Sequence, residues 1–211
     1  MHKYHTGYVR ELIHVGKKKI KIVFEGEAPI CLYRGEVRQF DIAVDCEIAP
    51  ETMEQIYTEV LPKRAKSRAL HLLEKKDYTC FQMKKKLREG CYPEEVISDT
   101  ISYLQAHCFL DDARYAENYL RVHGATDSRR KLQQKLTERG IPRDIIAAQM
   151  EEMEAPCERE QVEHLLEKKR YHHDAADRKA QDKMLRFLMA RGYAFNLAME
   201  CMKATENKGI L

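Results

Sequence analysis

The chain has 211 residues, of which 44% are hydrophobic and 34% charged, and its formal net charge is only +3. This balance allows a hydrophobic core beneath a highly charged surface, and it excludes the strongly basic composition of a dedicated DNA-binding protein. Glycine and proline are sparse, at nine and six residues, which is typical of a helical chain with short connections.

No run of about 18 apolar residues is present, so we expect no membrane-spanning helix. The first residues lead into no apolar segment, which argues against a signal peptide. The seven cysteines lie more than ten residues apart, a distribution that fits neither a disulfide framework nor a zinc site. We therefore expect a cytoplasmic protein with reduced cysteines.

The first sixty residues contain the strand-forming part of the chain. Tyr8–Val15, Lys19–Phe24 and Ala28–Tyr33 are short runs rich in β-forming residues, and glycines separate them. Such runs are typical of a small meander or hairpin. The segment Asp41–Glu47 that follows fits neither a strand nor a helix clearly.

A helical pattern begins near Pro50 and continues through the rest of the chain. We expect Pro62 to break or restart the first helix, because a proline inside a helix removes a hydrogen bond. Further on, Thr79 and Gln82 have the spacing of a capping box, which marks the start of another helix. Pro93 suits the first position of the next one.

Three segments end in nearly the same way, each running from a leucine to an aromatic or aliphatic residue five positions later. The three pairs are Leu87 and Tyr92, Leu136 and Ile141, and Leu188 and Tyr193. The leucines lie 49 and 52 residues apart, and recurrence at such a distance is the signature of a repeat array.

The sequence therefore predicts a mainly α fold: three tandem three-helix repeats forming an elongated array, preceded by a small N-terminal β-rich extension. Each repeat is too small to bury a full core alone, so we expect neighbouring repeats to stack. The predicted boundaries are 1–62 for the extension with a linking helix, 63–109 for repeat 1, 110–155 for repeat 2 and 156–211 for repeat 3.

Three sequence blocks within these repeats form an ordered set: Arg68–Leu73 (RALHLL), Asp111–Ala116 (DDARYA) and Lys135–Pro142 (KLTERGIP). In this order they resemble the bacterial RecX family, whose members modulate the RecA recombinase. The resemblance covers roughly Lys63 to Met202. The N-terminal strand region is similar to the extension carried by family members from Gram-positive bacteria.

One departure from the family's pattern opens the second helix, where members commonly show Ser-x-x-Glu-Leu and this chain has Thr79, Gln82 and Met83. Two more departures lie in turns. A glycine is usual before the middle helix of the second repeat, where this chain has Ser128. Cys91 stands where the other two repeats have Gly140 and Gly192. Both departures concern the geometry of turns.

The resemblance implies a non-enzymatic protein that binds the RecA–single-stranded-DNA filament and restrains ATP hydrolysis, strand exchange or filament growth. The implied partners are the RecA filament and single-stranded DNA, with weaker binding of double-stranded DNA, and the protein itself would be a monomer. Repeats laid end to end could touch several recombinase subunits at once, which would give avidity without one strong contact.

The largest charge surplus lies in the first repeat, where residues 63–109 carry ten basic and six acidic side chains. Lys84 and Arg88 are one helical turn apart and opposite the apolar face of Met83 and Leu87, so they can converge on one surface. Such groups neutralise phosphates in nucleic-acid complexes, although a solvated helix face has the same composition. The candidate filament-binding or nucleic-acid-binding residues are Lys63, Arg64, Lys66, Arg68, Lys84, Lys85, Lys86, Arg88, Arg129, Arg130, Lys131 and Lys135.

The tyrosines of the helical part could stack on unpaired bases. Packing between helices explains them better, because Tyr92 and Tyr193 occupy the position that Ile141 takes in the second repeat. The tyrosines considered are Tyr78, Tyr92, Tyr115, Tyr119, Tyr171 and Tyr193.

No catalytic, cofactor or metal site is predicted. Asp111, Asp112 and Arg114 are better explained by helix capping and an ion pair than by catalysis. His172 and His173 lack the ligand spacing of a structural zinc site. The chain also has neither a glycine-rich phosphate loop nor a nucleophile elbow.

Two alternatives to the regulator remain open. A direct DNA-binding protein would use its three-helix units as helix-turn-helix modules, but only Gln82 is available to read bases beside the Lys84–Lys86 run. A helical-repeat adaptor for peptides would need a concave apolar or acidic groove, and the basic surplus argues mildly against it.

Overall fold

The computed structural model describes residues 6–153, 157–174 and 176–205. The chain divides into two compact units, Met1–Asp111 and Asp112–Leu211. The predicted fold class is confirmed, since the protein is mainly helical, with three tandem three-helix domains after a small N-terminal antiparallel strand region.

Within the described residues, four antiparallel strands form the N-terminal sheet: β1 Gly7–Val15, β2 Lys19–Phe24, β3 Ile30–Tyr33 and β4 Glu47–Ile48. Their spatial order is β3-β2-β1-β4. The first three are the predicted strands, and the short fourth one begins at Glu47, the last residue of the ambiguous segment. In β2, Ile20 and Ile22 are buried and alternate with partly exposed lysines, so one face of the sheet contributes to the core.

A short helix, α1 Arg34–Gln39, follows β3 and was not predicted. After β4 the chain forms one continuous helical stretch made of α2 Pro50–Gln55, a π-helical segment Ile56–Val60 and α3 Leu61–Leu73. The expected restart is confirmed, since α3 begins at Leu61 with Pro62 in its first turn, but the helical backbone does not break there.

The π-helical segment explains how the proline is accommodated. Pro62 has no amide hydrogen to donate, and its ring crowds the carbonyl group four residues earlier. That carbonyl belongs to Thr58, inside the segment Ile56–Val60. The wider turn of a π-helix provides the room, so the helical backbone continues through the proline.

Two more helices complete the first repeat, α4 Cys80–Arg88 and α5 Glu94–Ala106. The predicted capping box at Thr79 is confirmed: its hydroxyl oxygen accepts from the amide of Gln82 at 3.2 Å, and the Gln82 side-chain oxygen accepts from the amide of Thr79 at 3.3 Å. The first repeat and the sheet bury one common core, which includes Ile22 of β2 and Met83 of α4.

The second unit contains six helices within the described residues: α6 Asp112–His123, α7 Arg129–Glu138, α8 Arg143–Glu152, α9 Glu158–Lys168, α10 Arg178–Ala190 and α11 Phe195–Ala204. The first three surround a cluster that includes Leu132 and Leu136, and the last three surround a cluster that includes Leu188 and Tyr193. The predicted boundary between residues 155 and 156 lies outside the described residues.

The repeated leucine-to-aromatic segments form the same helix end three times. The amide of the later residue donates to the carbonyl of the leucine, at 3.3 Å for Tyr92 and Leu87, 3.2 Å for Ile141 and Leu136, and 3.4 Å for Tyr193 and Leu188. The residue before each amide has a left-handed backbone, with φ of 58° at Cys91, 77° at Gly140 and 87° at Gly192. This is the usual αL ending of a helix, and Cys91 adopts it without being glycine.

Candidate nucleic-acid interface

Helix α3 carries four of the predicted basic residues, and they lie on two faces. Lys63, Arg64 and Arg68 line one side of the helix, beside strand β3. Lys66 lies elsewhere, with its ammonium nitrogen 4.3 Å from the ring centroid of Tyr103. Of the four, only Lys63, Arg64 and Arg68 therefore lie together on one side of α3.

A groove of about 570 Å³ runs along this side of α3 and is bounded by strands β2 and β3 and helix α1. Arg64 lies across its floor, where its Nη1 donates to the Glu36 carboxylate at 2.6 Å. The guanidinium carbon is 3.7 Å from the ring centroid of Tyr33. The ammonium group of Lys19 lies 5.8 Å from the same centroid. We call this the Tyr33 groove.

Lys19 and Tyr33 were not among the predicted site residues. Both belong to the N-terminal sheet, whose strands were predicted without an assignment of the surface that they form with the helices. Nothing in the local sequence marks these two residues as part of a groove, because they line it only through the packing of β2 and β3 beside α3.

Helix α4 presents two kinds of basic residue. Lys86 pairs with Glu89 at 2.7 Å and Arg88 with Glu94 at 2.8 Å. By contrast, the predicted residues Lys84 and Lys85 make no ion pair within the part of the chain that the structure describes.

The basic groups of α3 and α4 are close enough to influence each other. The hydrogen bond and charge of Glu89 raise the pKa of Lys86, whereas Arg68 acts in the opposite direction. Arg68 also counters the rise that burial causes in the pKa of Tyr92, at the edge of the groove. Arg68 therefore lies near both Tyr92 at the groove and Lys86 of α4.

In the second repeat, Arg129 is engaged in contacts within its own unit. Its Nη2 donates to the carbonyl of Met150 at 2.7 Å, and its backbone amide donates to Glu158 at 3.1 Å. These bonds hold the start of α7 against the end of α8 and the start of α9. This predicted residue thus acts as a structural link between helices.

The other basic residues of α7 differ in their pairing. Lys131 pairs with Asp127 at 3.2 Å and Lys135 with Glu138 at 2.7 Å. Arg130 is exposed and has no ion-pair partner in the described ranges. Helix α7 therefore offers less unpaired charge than its sequence indicates.

The tyrosines considered for base stacking are mainly packing residues. Tyr193 is fully buried, and Tyr78, Tyr92 and Tyr171 are buried at helix ends or turns. Tyr33, which was not among the tyrosines predicted as stacking candidates, is 42% exposed.

A buried polar link connects the second and third repeats. Gln161 is 3% exposed, and its amide nitrogen donates to the carbonyl of Gly124 at 3.0 Å. Its amide oxygen accepts from the Tyr193 hydroxyl at 3.0 Å. The amide of Ser128 donates to the carbonyl of Arg191 at 3.0 Å nearby. Because buried polar groups are costly to leave unpaired, this network fixes how the two repeats meet.

Two further features bear on the kind of site present. In the described ranges, no group of three or more histidine, cysteine, aspartate or glutamate side chains is arranged to hold a metal ion. None of the helices that the structure describes combines the length and the hydrophobicity needed to cross a bilayer.

Family models match each of the three repeats. They are described as the first, second and third three-helix domains of RecX, and they match residues 65–104, 111–150 and 158–202. Together these segments cover more than half of the chain.

Several relatives named "Regulatory protein RecX" are similar to the chain over most of their own length. The protein from Trichlorobacter lovleyi is 34% identical over 135 residues, which is 61% of this chain and 87% of that protein. The protein from Vibrio parahaemolyticus is 32% identical over 134 residues, covering 63% and 85%. The one from Clostridium perfringens strain 13 is 26% identical over 172 residues, covering 79% and 80%.

Solved structures share the fold. A crystal structure of a regulatory protein RecX has a TM-score of 0.55 and 20% identity, and the match covers 94% of this chain and 99% of that one. The crystal structure of RecX from Lactobacillus salivarius has a TM-score of 0.57 and 24% identity, covering 70% and 98%.

Proposed function

The chain belongs to the RecX family of regulatory proteins, as the resemblance of its repeats indicated, and on that premise we propose that it binds the RecA–single-stranded-DNA filament and restrains its ATPase and strand exchange. In this proposal the protein acts by binding and catalyses no reaction itself. Its charged repeat surface contacts the filament, and several repeats contribute to the avidity.

The observation that carries the proposal is the unpaired basic surface of the first repeat. Lys63 and Arg68 on α3 and Lys84 and Lys85 on α4 make no ion pair within the described residues. Because these charges are not consumed by internal partners, they are available to neutralise phosphates of a nucleoprotein filament.

The test is ATP hydrolysis by a RecA–single-stranded-DNA filament titrated with the protein. We expect suppression at substoichiometric ratios, and Lys84→Glu/Lys85→Glu should weaken it strongly while helicity is retained. The matched control is Lys183→Glu/Lys203→Glu, which makes the same charge change at two exposed positions of the third repeat.

Three outcomes are decisive. Equal loss of suppression in both double variants would mean that net charge, rather than the surface of the first repeat, controls binding. No suppression by the unaltered protein at saturation would refute the filament regulator. If the Lys84→Glu/Lys85→Glu variant still lost affinity for bare DNA in that case, the direct DNA-binding alternative would be favoured.

A further inference from the structure

The Tyr33 groove combines an exposed aromatic ring with several cations, and the prediction from sequence included only part of it. Lys63, Arg64 and Arg68 come from α3, whereas Lys19 and Tyr33 come from the N-terminal sheet. The sheet therefore adds an aromatic ring and a further positive charge to the basic side of the first repeat. The volume of about 570 Å³ falls in the range of sites that hold small organic groups.

Tyr33 differs from the buried tyrosines in being held in place while remaining accessible. The Arg64 guanidinium carbon lies 3.7 Å from its ring centroid, as in a cation–π contact. The backbone amide of Tyr33 donates to the Glu36 carboxylate at 2.8 Å, at the start of α1. Tyr33 as a whole is nevertheless 42% exposed. A fixed, accessible ring of this kind can stack on a planar group at little further entropic cost.

Arg64 is positioned by the same carboxylate. Its Nη1 donates to Glu36 at 2.6 Å, and the side chain is only 13% exposed. Its Nε is enclosed and has no hydrogen-bond partner within the described residues. Glu36 thus binds both the backbone of Tyr33 and the guanidinium group of Arg64. Lys63 and Arg68, which also line the groove, are exposed.

The charge of the groove favours an anionic occupant. Four cationic side chains line it, Lys19, Lys63, Arg64 and Arg68, against the single carboxylate of Glu36. Arg68, which lines the groove, also lies near enough to Lys86 of α4 to lower the pKa of that lysine.

We propose that the Tyr33 groove binds single-stranded DNA, with one unpaired base stacked on Tyr33 and the adjacent phosphates on Lys19, Lys63 and Arg68. This inference rests on the proposed function and assigns the N-terminal sheet a direct part in it. A duplex keeps its base faces stacked, so it cannot use the ring in this way. An acidic peptide could use the cations but has no base to place on the ring.

The experiment measures binding of the full chain to a fluorescent oligothymidylate and to an abasic oligomer of the same length and charge. Tyr33→Leu should weaken oligothymidylate binding about tenfold, because stacking on an aromatic side chain contributes on the order of 1–3 kcal/mol per base. Tyr33→Phe keeps the aromatic face and should bind normally. Neither variant should change binding of the abasic oligomer.

The phosphate contacts are tested by salt dependence. Lys19→Gln and Arg68→Gln should each make the slope of log affinity against log salt less steep by about 0.7, the value expected for one phosphate of a single strand. Lys18→Gln removes a charge from the exposed hairpin turn beside Lys19 and serves as the control.

The outcomes separate this proposal from the proposed function. Normal oligothymidylate binding by Tyr33→Leu and Lys19→Gln overturns the groove assignment, even if both still suppress the filament ATPase. Binding of a polyglutamate peptide that depends on Lys19, without matching loss of oligothymidylate binding, overturns it in favour of an acidic protein segment. If the base-specific loss occurs and the unaltered protein does not suppress the ATPase, the groove assignment holds and the filament regulator fails.

Discussion

Gly192 lies where the third repeat meets the second, and its replacement by alanine should destabilise the second unit. Its φ of 87° is in the left-handed region that disfavours other residues. A Cβ atom added there would lie 2.7 Å from the Cβ of Lys131 and closer still to the hydroxyl of Ser128. Both atoms belong to the first turn of α7 or its cap, so neither is the free end of a flexible side chain.

The expected loss of stability is the sum of two costs less one gain. The left-handed backbone costs an alanine roughly 1–2 kcal/mol. Overpacking against a well-packed neighbour typically costs about 1–3 kcal/mol. Alanine also lowers the entropy of the unfolded chain, which offsets about 0.4–1 kcal/mol. We therefore expect Gly192→Ala to reduce the free energy of unfolding of the second unit by about 1–5 kcal/mol.

The assay is urea unfolding followed by circular dichroism, because the chain has no tryptophan to report on packing. Hydrogen exchange measured by mass spectrometry then assigns the loss to helices α6–α11. Gly16→Ala is the matched control, since Gly16 also has a left-handed φ, of 66°, but nothing lies within 4 Å of the added Cβ. It should cost about 1 kcal/mol or less, in the first unit.

A double-mutant cycle tests the cause. Ser128→Gly removes the hydroxyl nearest to the new methyl group, and glycine replaces a serine cap at a cost of only a few tenths of a kcal/mol, roughly. The two substitutions together should then be less destabilising than their sum by about 0.5–1 kcal/mol or more. Additive effects, or a Gly192→Ala variant no less stable than Gly16→Ala, would refute the steric argument.

Three other consequences can be measured on the same chain. Cys91→Gly should stabilise the first unit by about 0.5–1 kcal/mol, because it relieves the left-handed φ of 58°, whereas Cys91→Ala should not; a glycine variant with a lower urea midpoint would mean that the Cys91 thiol contributes more than the backbone strain. Burial, followed by the hydrogen bond and charge of Cys91, raises the pKa of the Cys31 thiol to about 12. The thiol of the unfolded chain ionises near pH 8.5, roughly, so the contribution of the protonated Cys31 thiol to the free energy of unfolding is fully present below that pH. As the pH rises toward about 12, this contribution is lost by about 1.4 kcal/mol per pH unit. Cys31→Ala should flatten the decline, and an unchanged slope would exclude Cys31 as its source. Deleting residues 156–211 should increase hydrogen exchange in α6–α8 while leaving the sheet and first repeat protected, and equal protection of α6–α8 would show that the second repeat is stable alone.

The sequence predicts most of the helical repeats because their signals are local. Leu87, Leu136 and Leu188 recur at the repeat distance and are all fully buried, and the cap at Thr79 is readable from two residues. The helix α1 was missed because it is only six residues long and buries one side chain, Val37. Its existence depends on the strand before it, so no periodic pattern could reveal it.

The candidate interface was predicted only in part, because ionic pairing and exposure depend on tertiary contacts. The sequence shows that Lys84 and Lys86 are both basic, but the fold pairs only Lys86 with an acidic neighbour. Alternation along β2 places Lys19 on the face opposite Ile20, yet which helix lies beside it cannot be derived from that pattern. Gln161 is a polar residue in a helix, and only the packing of two repeats makes it a buried link.

Basic residues that are similar in sequence therefore have different roles in the two repeats where they were predicted. In α7, three of the four predicted residues, Arg129, Lys131 and Lys135, bond to groups of their own unit. Their charge supports the packing and local order of the second unit, and little of it is left for an external anion. In the first repeat the unpaired charges adjoin a groove that contains an accessible aromatic ring. The salt dependence of filament binding should consequently arise from the first unit, and the rigidity that lets successive repeats bind together should arise from the link between the second and third.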